Sequence, residues 1–248
     1  MSLNEQGIGS LFQQQTQYAR STVGRRHLAA APSSISPEIR PLPRPRMEKG
    51  PDLWNVLLNR RSIRDYGEPP LLLAELADLL FAIQGTTAKS SFPWYRTAPS
   101  AGALHPIDTY LVVNRIDELE AGIYLLRIED FSLEMKKKGD FSWQIARAAL
   151  DQNFARTAAV VFIWVAVIHR SRQKYRERAY RYIYLDCGHI CQNLYLAATA
   201  LGIGCCGVGA FFDDEVNELV GVDGQEETAI YLATVGKKYS PSMGREVV

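Results

Sequence analysis

The sequence lacks the features that mark several classes of protein. Its formal net charge is only +1 over 248 residues, which gives no support for a nucleic-acid or anionic-membrane partner. The longest apolar run, 158–168, is too short to cross a bilayer as a helix. Residues 1–17 are polar and Gln-rich, without the apolar centre of a secretory signal. We therefore expect a cytoplasmic protein with neither nucleic acid nor membrane as a partner.

Cysteine is also scarce. The four cysteines, at 187, 191, 205 and 206, are too few and too clustered for a disulfide framework, which favours a reducing compartment. On a helix Cys187 and Cys191 would share a face, whereas His189 would lie off it. This spacing predicts a buried cysteine pair with a separate histidine, and no metal site.

Composition divides the chain into two parts. Residues 1–50 carry a run of glutamines at 13–15 and prolines at 41, 43 and 45. Because proline biases the residue before it away from helix, we expect an extended N-terminal segment. It would either lie over the body or a partner subunit, or form a flexible tail. Residues 51–248 are expected to form one domain, since no break in composition interrupts 51–240.

Hydrophobic spacing predicts the elements of that domain. The stretch 158–168 is apolar on both faces, as in a central strand. The stretch 180–201 is apolar nearly all round, so it is expected to be buried in a core or across a subunit contact. Helices and strands interleave irregularly without a repeat, which favours an α+β fold. Helices are predicted at 52–59, 72–84, 143–154 (with Ser142 as N-cap), 180–201 and 213–220, and strands at 109–114, 122–128, 158–168 and 228–235.

A glycine-rich stretch at 202–207 matches the pattern G-x-G-x-x-G. A dinucleotide site needs a strand before this pattern and a helix opening within it, and here a long helix precedes it. We therefore reject the dinucleotide reading in favour of a helix end that turns into a strand. Gly207 and Gly209 would also let backbone N–H groups approach a planar ligand.

A basic segment offers the chemistry of a phosphate site. Arg60, Arg61 and Arg64 surround the hydroxyl of Ser62, and guanidinium groups give phosphate paired, charge-assisted hydrogen bonds. The alternative is a solvated basic end to the preceding helix. Lys237, after the last strand, is a second candidate phosphate partner, with a surface lysine as its alternative.

Taken together and in order, several segments resemble the nitroreductase superfamily of FMN enzymes. The resemblance is stronger to its SagB-type branch, which includes dehydrogenases that oxidise azolines to azoles during thiazole/oxazole peptide maturation. It implies an α+β, nitroreductase-like fold with a central, mainly antiparallel sheet flanked by helices. It also implies an intertwined homodimer with FMN at the interface. The segments that carry it are 60–64, 96–106, 174–175, 177–182, 188–189, 192–196 and 207–211.

The resemblance also implies roles for individual residues. One set would hold the phosphate, ribityl chain and pyrimidine edge of FMN, a second would reach the flavin from the other subunit, and a third would offer backbone N–H groups near N5 and O4. These cofactor-binding sets are Arg60, Arg61, Ser62 and Arg64 with Lys237; Pro99, Ser100, Ala101 and Gly102; and Gly209 and Ala210. Lys174 and Tyr175 match a pair proposed as catalytic, since azoline oxidation needs a proton acceptor. Their alternative is a surface lysine beside a half-buried tyrosine.

The leading functional hypothesis is an FMN-dependent oxidoreductase that moves a hydride through flavin N5. Its substrate would be a peptide azoline or a related small molecule. An alternative is an NAD(P)H-dependent nitro or quinone reductase. An alternative of another class is a non-catalytic, flavin-binding scaffold subunit. The intact set of phosphate-binding arginines argues against loss of FMN, because unused arginines at such a site would be costly.

Overall fold

A computed structural model describes residues 7–20, 38–46, 50–88 and 94–239. The helices are α1 Ile8–Gln15, α2 Leu53–Asn59, α3 Leu73–Gln84, α4 Ser142–Ala148, α5 Asn153–Thr157, α6 Ile168–Tyr175, α7 Ala179–Ala200 and α8 Asp213–Val220. The strands are β1 Ile39–Pro41, β2 Thr86–Ala88, β3 Tyr95–Arg96, β4 Ile107–Val113, β5 Gly122–Arg127, β6 Ser132–Lys138, β7 Val160–Val167, β8 Gly204–Val208 and β9 Glu227–Gly236. No helix within these ranges is long and apolar enough to cross a membrane.

A seven-stranded sheet forms the centre of the fold, in the order β1-β6-β5-β4-β7-β9-β8. Every pairing in it is antiparallel. All eight residues of β7 are buried, because this strand has helices over both faces and strands on both edges. The predicted α+β class, antiparallel sheet and central strand at 158–168 are confirmed.

The long helix α7 packs one side against the sheet and leaves another exposed. Cys187 and Cys191 are 2% and 3% exposed and belong to the core, whereas His189 lies on the exposed side. Within the described ranges no cluster of His, Cys, Asp or Glu could hold a metal ion. The prediction of a buried cysteine pair with a separate histidine is confirmed.

One predicted helix is wrong. The stretch 143–154 is two short helices, α4 and α5, rather than one. Leu150 and Asp151 both have a φ of 58°, a left-handed conformation that ends a right-handed helix. Ser142 is not the N-cap: it is the first helical residue, and its backbone N–H donates to the Asp140 carboxylate at 2.8 Å.

The described parts of the N-terminal segment lie on the chain's own body. Strand β1 pairs with β6 and forms an edge of the sheet, and α1 packs against α7. The remaining parts of this segment, 1–6, 21–37 and 47–49, lie outside the described residues, as does the end of the predicted domain at 240–248.

Candidate functional site

The arginine segment runs along the outer edge of the sheet. It follows α2 directly, and the Ile63 backbone N–H donates to the Cys205 carbonyl of edge strand β8 at 2.9 Å. The buried Tyr66 hydroxyl donates to the Ile63 carbonyl at 2.7 Å and lies 2.7 Å from the Thr234 hydroxyl. These bonds fix the backbone that carries Arg60 and Arg64.

Within the described part of the chain, the three guanidinium groups of this segment meet no counter-charge. Arg60 lies over the Tyr195 ring at 5.3 Å, and Arg64 lies over the Phe154 ring at 5.8 Å. Arg61 donates to the backbone carbonyls of Leu58 and Arg60. Among described residues, none of the three forms an ion pair with a carboxylate. Three such cations within five residues repel one another, so the donor set fits a bound anion such as the FMN phosphate.

Tyr195 on α7 joins this segment to the glycine-rich strand. Its hydroxyl accepts the Gly207 backbone N–H at 2.6 Å and lies 3.0 Å from the Ser62 hydroxyl. Burial raises the pKa of Tyr195, so the hydroxyl stays protonated and can donate to Ser62 in turn. Sequence reasoning did not assign Tyr195 to the site, although it lies in the 192–196 segment that carries the resemblance.

Lys237 already has a partner. Its ammonium nitrogen lies 2.5 Å from Glu75 Oε1, and the other Glu75 oxygen accepts the Leu72 backbone N–H at the start of α3. Its backbone is close to the arginine segment, because the Gly67 N–H donates to the Lys237 carbonyl at 2.9 Å. A phosphate role for Lys237 would require it to exchange or share this carboxylate.

A second group of predicted residues centres on the turn 99–102. The Ser100 hydroxyl donates to Asp186 Oδ2 at 2.6 Å, and the Ala101 N–H donates to the same carboxylate at 3.2 Å. Asp186 is only 4% exposed, and burial raises the pKa of its carboxyl. Asp186 was not predicted to be a site residue. Its contact with a turn 85 positions earlier in the chain exists only in the folded protein.

Lys174 and Tyr175 lie against this turn. They are the last two residues of α6, and the Lys174 ammonium lies 5.2 Å from the centre of the Tyr175 ring. Gly102 has a φ of 62°, and a Cβ there would lie 2.5 Å from the Tyr175 hydroxyl and 2.7 Å from the Lys174 nitrogen. The fold therefore brings the predicted catalytic pair to the predicted flavin-contacting turn, and a Cβ at position 102 would require the Tyr175 hydroxyl and the Lys174 ammonium to shift.

Gly209 and Ala210 continue from β8, the strand that carries Gly207. Gly209 is exposed, and the nearest atom to a Cβ there would be in the Tyr231 ring at 3.8 Å. The Ala210 carbonyl accepts a hydrogen bond from the Gln152 side chain at 3.1 Å. This short loop is therefore open on one side to a flat ligand.

His105 is a structural histidine in this geometry. Burial, reinforced by the nearby Arg96 charge, lowers its pKa to about 4. Its backbone N–H donates to the Ser100 hydroxyl at 2.9 Å. The imidazole is therefore neutral at physiological pH, and His105 supports the turn 99–102 through its backbone.

The two groups of residues lie on opposite sides of α7. Asp186 holds the turn 99–102, and Tyr195 holds Ser62 and Gly207. Asp186 and Tyr195 are nine positions apart on the helix, which corresponds to about 13.5 Å of rise and about two and a half turns. Asp186 and Tyr195 therefore project from opposite faces of α7, and each holds its own group of described residues.

Comparison with known proteins identifies relatives over most of the chain. Residues 57–237 match the Nitroreductase family. A Methanocaldococcus jannaschii protein provisionally named a nitroreductase is 38% identical over 186 residues, which are 75% of this chain and 91% of that protein.

A further relative is a trifolitoxin-processing protein, and a solved structure of a microcin synthetase shares the fold. The trifolitoxin-processing protein TfxB of Rhizobium leguminosarum bv. trifolii is 35% identical over 113 residues, which are 44% of this chain and only 30% of TfxB. The structure of the E. coli microcin synthetase McbBCD complex with truncated pro-MccB17 bound has a TM-score of 0.63 at 15% identity. That alignment covers 97% of this chain and 85% of the other, and it shows a shared fold.

Proposed function

Because this chain belongs to the nitroreductase family, we propose that it is an FMN-dependent oxidoreductase of the SagB type. Its reaction would be azoline dehydrogenation in a peptide, or a related two-electron step through flavin N5. The contact of Lys174 and Tyr175 with Gly102 carries this proposal, because it joins the candidate proton acceptors to the flavin-contacting turn. The names of TfxB and of the microcin complex support substrates of the peptide kind.

The arginine segment would hold the phosphate end of the cofactor. Arg60 and Arg64 supply forked donors with no carboxylate partner within the described ranges, and Ser62 adds a hydroxyl oriented by Tyr195. Gly209 and Ala210 would offer their N–H groups to the flavin edge. When bound, FMN supplies the hydride chemistry, which the protein only positions and tunes.

Lys174 and Tyr175 would accept the proton that the azoline loses. Loss of two hydrogens from an azoline sends a hydride to the flavin and a proton to a base. The Lys174 amine and the Tyr175 oxygen are both within reach of the turn 99–102.

A homodimer would complete the site. The two residue groups lie on opposite sides of α7, so a second copy is needed to bring one of each together. Apolar surface is available for such a contact: on α2, Leu53, Trp54 and Leu58 are 57%, 74% and 71% exposed, and on α7 Leu185 is 55% exposed. Exposed large apolar side chains grouped in this way are typical of an interface.

A nicotinamide-driven reductase of nitro compounds or quinones is the second candidate, supported by the name of the archaeal relative. The test is the visible spectrum of the purified protein during anaerobic titration with NADH and then NADPH. Bleaching of a flavin band near one equivalent would favour the reductase. A band that stays oxidised until an azoline peptide is added would support the dehydrogenase. Absence of flavin binding after incubation with FMN would refute both.

A further inference from the structure

The described segment 7–20 lies outside the region that matches the family, which begins at residue 57. It nevertheless packs on α7, with Gly209 of the candidate site in the lining of the groove beside it. Gly9 makes this approach close, since a Cβ there would lie 2.3 Å from the Tyr180 ring of α7. This segment is therefore a feature that the family assignment does not explain.

The segment is fastened at both ends next to candidate site residues. At its start, the Gly9 and Ser10 N–H groups donate to the Glu177 carboxylate at 2.9 and 3.4 Å, three positions after Lys174. At its end, the Tyr18 N–H donates to Asp213 Oδ2 at 3.1 Å, three positions after Ala210. It thus runs from Glu177, which follows the catalytic pair in sequence, to Asp213, which follows the loop that would meet the flavin edge.

A groove of about 210 Å³ lies between this segment and the body. Four aromatic side chains line it: Phe12 and Tyr18 from the segment, Tyr184 from α7 and Phe211 after β8, with Gly209 also in its lining. Phe12 and Tyr18 are about half exposed, at 55% and 54%, so part of each ring is open to a ligand, while the Phe12 ring also packs against the Tyr184 ring at 6.2 Å. The polar lining is partly used internally, because Gln13 accepts from the Tyr184 hydroxyl and the Thr16 hydroxyl donates to the Phe12 carbonyl.

We propose that this groove is a subsite for a planar aromatic or heteroaromatic group of the substrate, and that Phe12 and Tyr18 select it. Flat rings suit such a site because aromatic pairs gain energy from offset or edge-to-face contact beyond the area they bury. An apolar cavity of about 150 Å³ holds a benzene molecule, so the groove has room for one ring and a substituent. The proposal depends on the proposed function in one respect only, which is that Gly209 lies beside the flavin.

The test compares two ligands that differ in planarity. Phenylthiazole and cyclohexylthiazole are titrated into the full-length, FMN-loaded protein, and binding is followed by saturation-transfer NMR. We expect tighter binding of phenylthiazole and roughly two- to tenfold weaker binding of it by Phe12→Ala. Ile8→Ala is the matched control, because Ile8 lies on the same helix, is 79% exposed and does not line the groove; it should bind as the unmodified protein does.

Phe12→Ala could also act by releasing the segment from the body. Phe12→Leu keeps most of the bulk without the ring, and hydrogen exchange of the Gly9 and Ser10 amides reports whether the segment stays attached. Equal binding of the two ligands would overturn the proposal, as would unchanged phenylthiazole binding by Phe12→Ala and Phe12→Leu. Since one chain forms the groove, the same titration without FMN shows whether the groove binds the planar ring, even if the protein fails to bind flavin.

Discussion

Replacing Gly102 with alanine tests whether the contact between the turn 99–102 and the pair Lys174–Tyr175 matters. Gly102 has a φ of 62°, a conformation that costs a residue with a Cβ roughly 1–2 kcal/mol. For a chain of this length, such a loss lowers the melting temperature by about 2–8 °C. The added methyl group would also lie 2.5 Å from the Tyr175 hydroxyl, so either the ring or the turn must move.

This movement gives Gly102→Ala a second effect, on catalysis. A displacement of about 1 Å at reacting groups can cost about 100-fold in rate, which exceeds what the loss of stability alone would produce in folded protein. We therefore expect Gly102→Ala to lower the turnover rate by a much larger factor than it lowers the fraction of folded protein. The assay measures turnover of FMN-loaded protein well below its melting temperature, together with urea unfolding at one fixed FMN concentration.

A double-mutant cycle isolates the Tyr175 part of the clash from the backbone strain and from the Lys174 contact at 2.7 Å, which are the same in both backgrounds. In Tyr175→Phe the hydroxyl is absent, and the ring carbon that carried it lies 3.5 Å from the added methyl group, an ordinary contact. Gly102→Ala should thus cost less unfolding free energy in that background, with a coupling of at least about 0.5 kcal/mol. Strict additivity within about 0.3 kcal/mol would refute the placement of Tyr175 against the turn.

Three further predictions concern the cofactor, the interface and pH. Arg60→Ala should weaken FMN binding roughly 10- to 150-fold by removing a charged hydrogen bond, as measured by flavin fluorescence. Lys136→Ala is the control, because Lys136 lies on β6, away from the site. Equal FMN affinities of the Arg60→Ala and Lys136→Ala variants would show that Arg60 does not bind the phosphate. Leu58→Asp should convert a dimer to a folded monomer in sedimentation, since Leu58 is 71% exposed in one chain; an unchanged dimer would place the interface elsewhere. Burial raises the pKa of Asp213 from 3.8 to about 6, so the folded chain holds this proton where the unfolded chain has lost it. Asp213 should therefore make the unfolding free energy fall as pH rises from about 4 to about 6, and Asp213→Asn should remove that part of the slope; identical pH profiles would contradict it.

Apolar composition along short stretches of sequence predicted the helices and strands that are buried in the core. The strand at 158–168 is apolar enough that only a central position suits it, and its burial is confirmed. The helix at 180–201 is present as α7, but only one side of it is buried in this chain. The helix at 143–154 failed because the left-handed Leu150 and Asp151 are ordinary residues whose conformation is imposed by the fold. Strand β6 was missed because its three successive lysines hide the alternation that marks a strand.

The candidate site was predictable in its parts but not in its arrangement. Motif residues at 60–64, 99–102, 174–175 and 209–210 could be quoted from the sequence, yet nothing in the sequence showed that Lys174 meets Gly102. Asp186 and Tyr195 hold these parts in place through contacts with distant loops. Such residues look like ordinary polar positions on a helix until the tertiary structure is known.

The arrangement of the two residue groups about α7 has a genetic consequence. In a homodimer built as proposed, each site takes the arginine segment from one copy and the turn 99–102 from the other. A heterodimer of an Arg60→Ala chain and a Gly102→Ala chain would therefore carry both lesions in one site and neither in the other. Two inactive alleles expressed together would restore activity, up to half that of the normal dimer per flavin site, whereas two alleles altered in the same group would not.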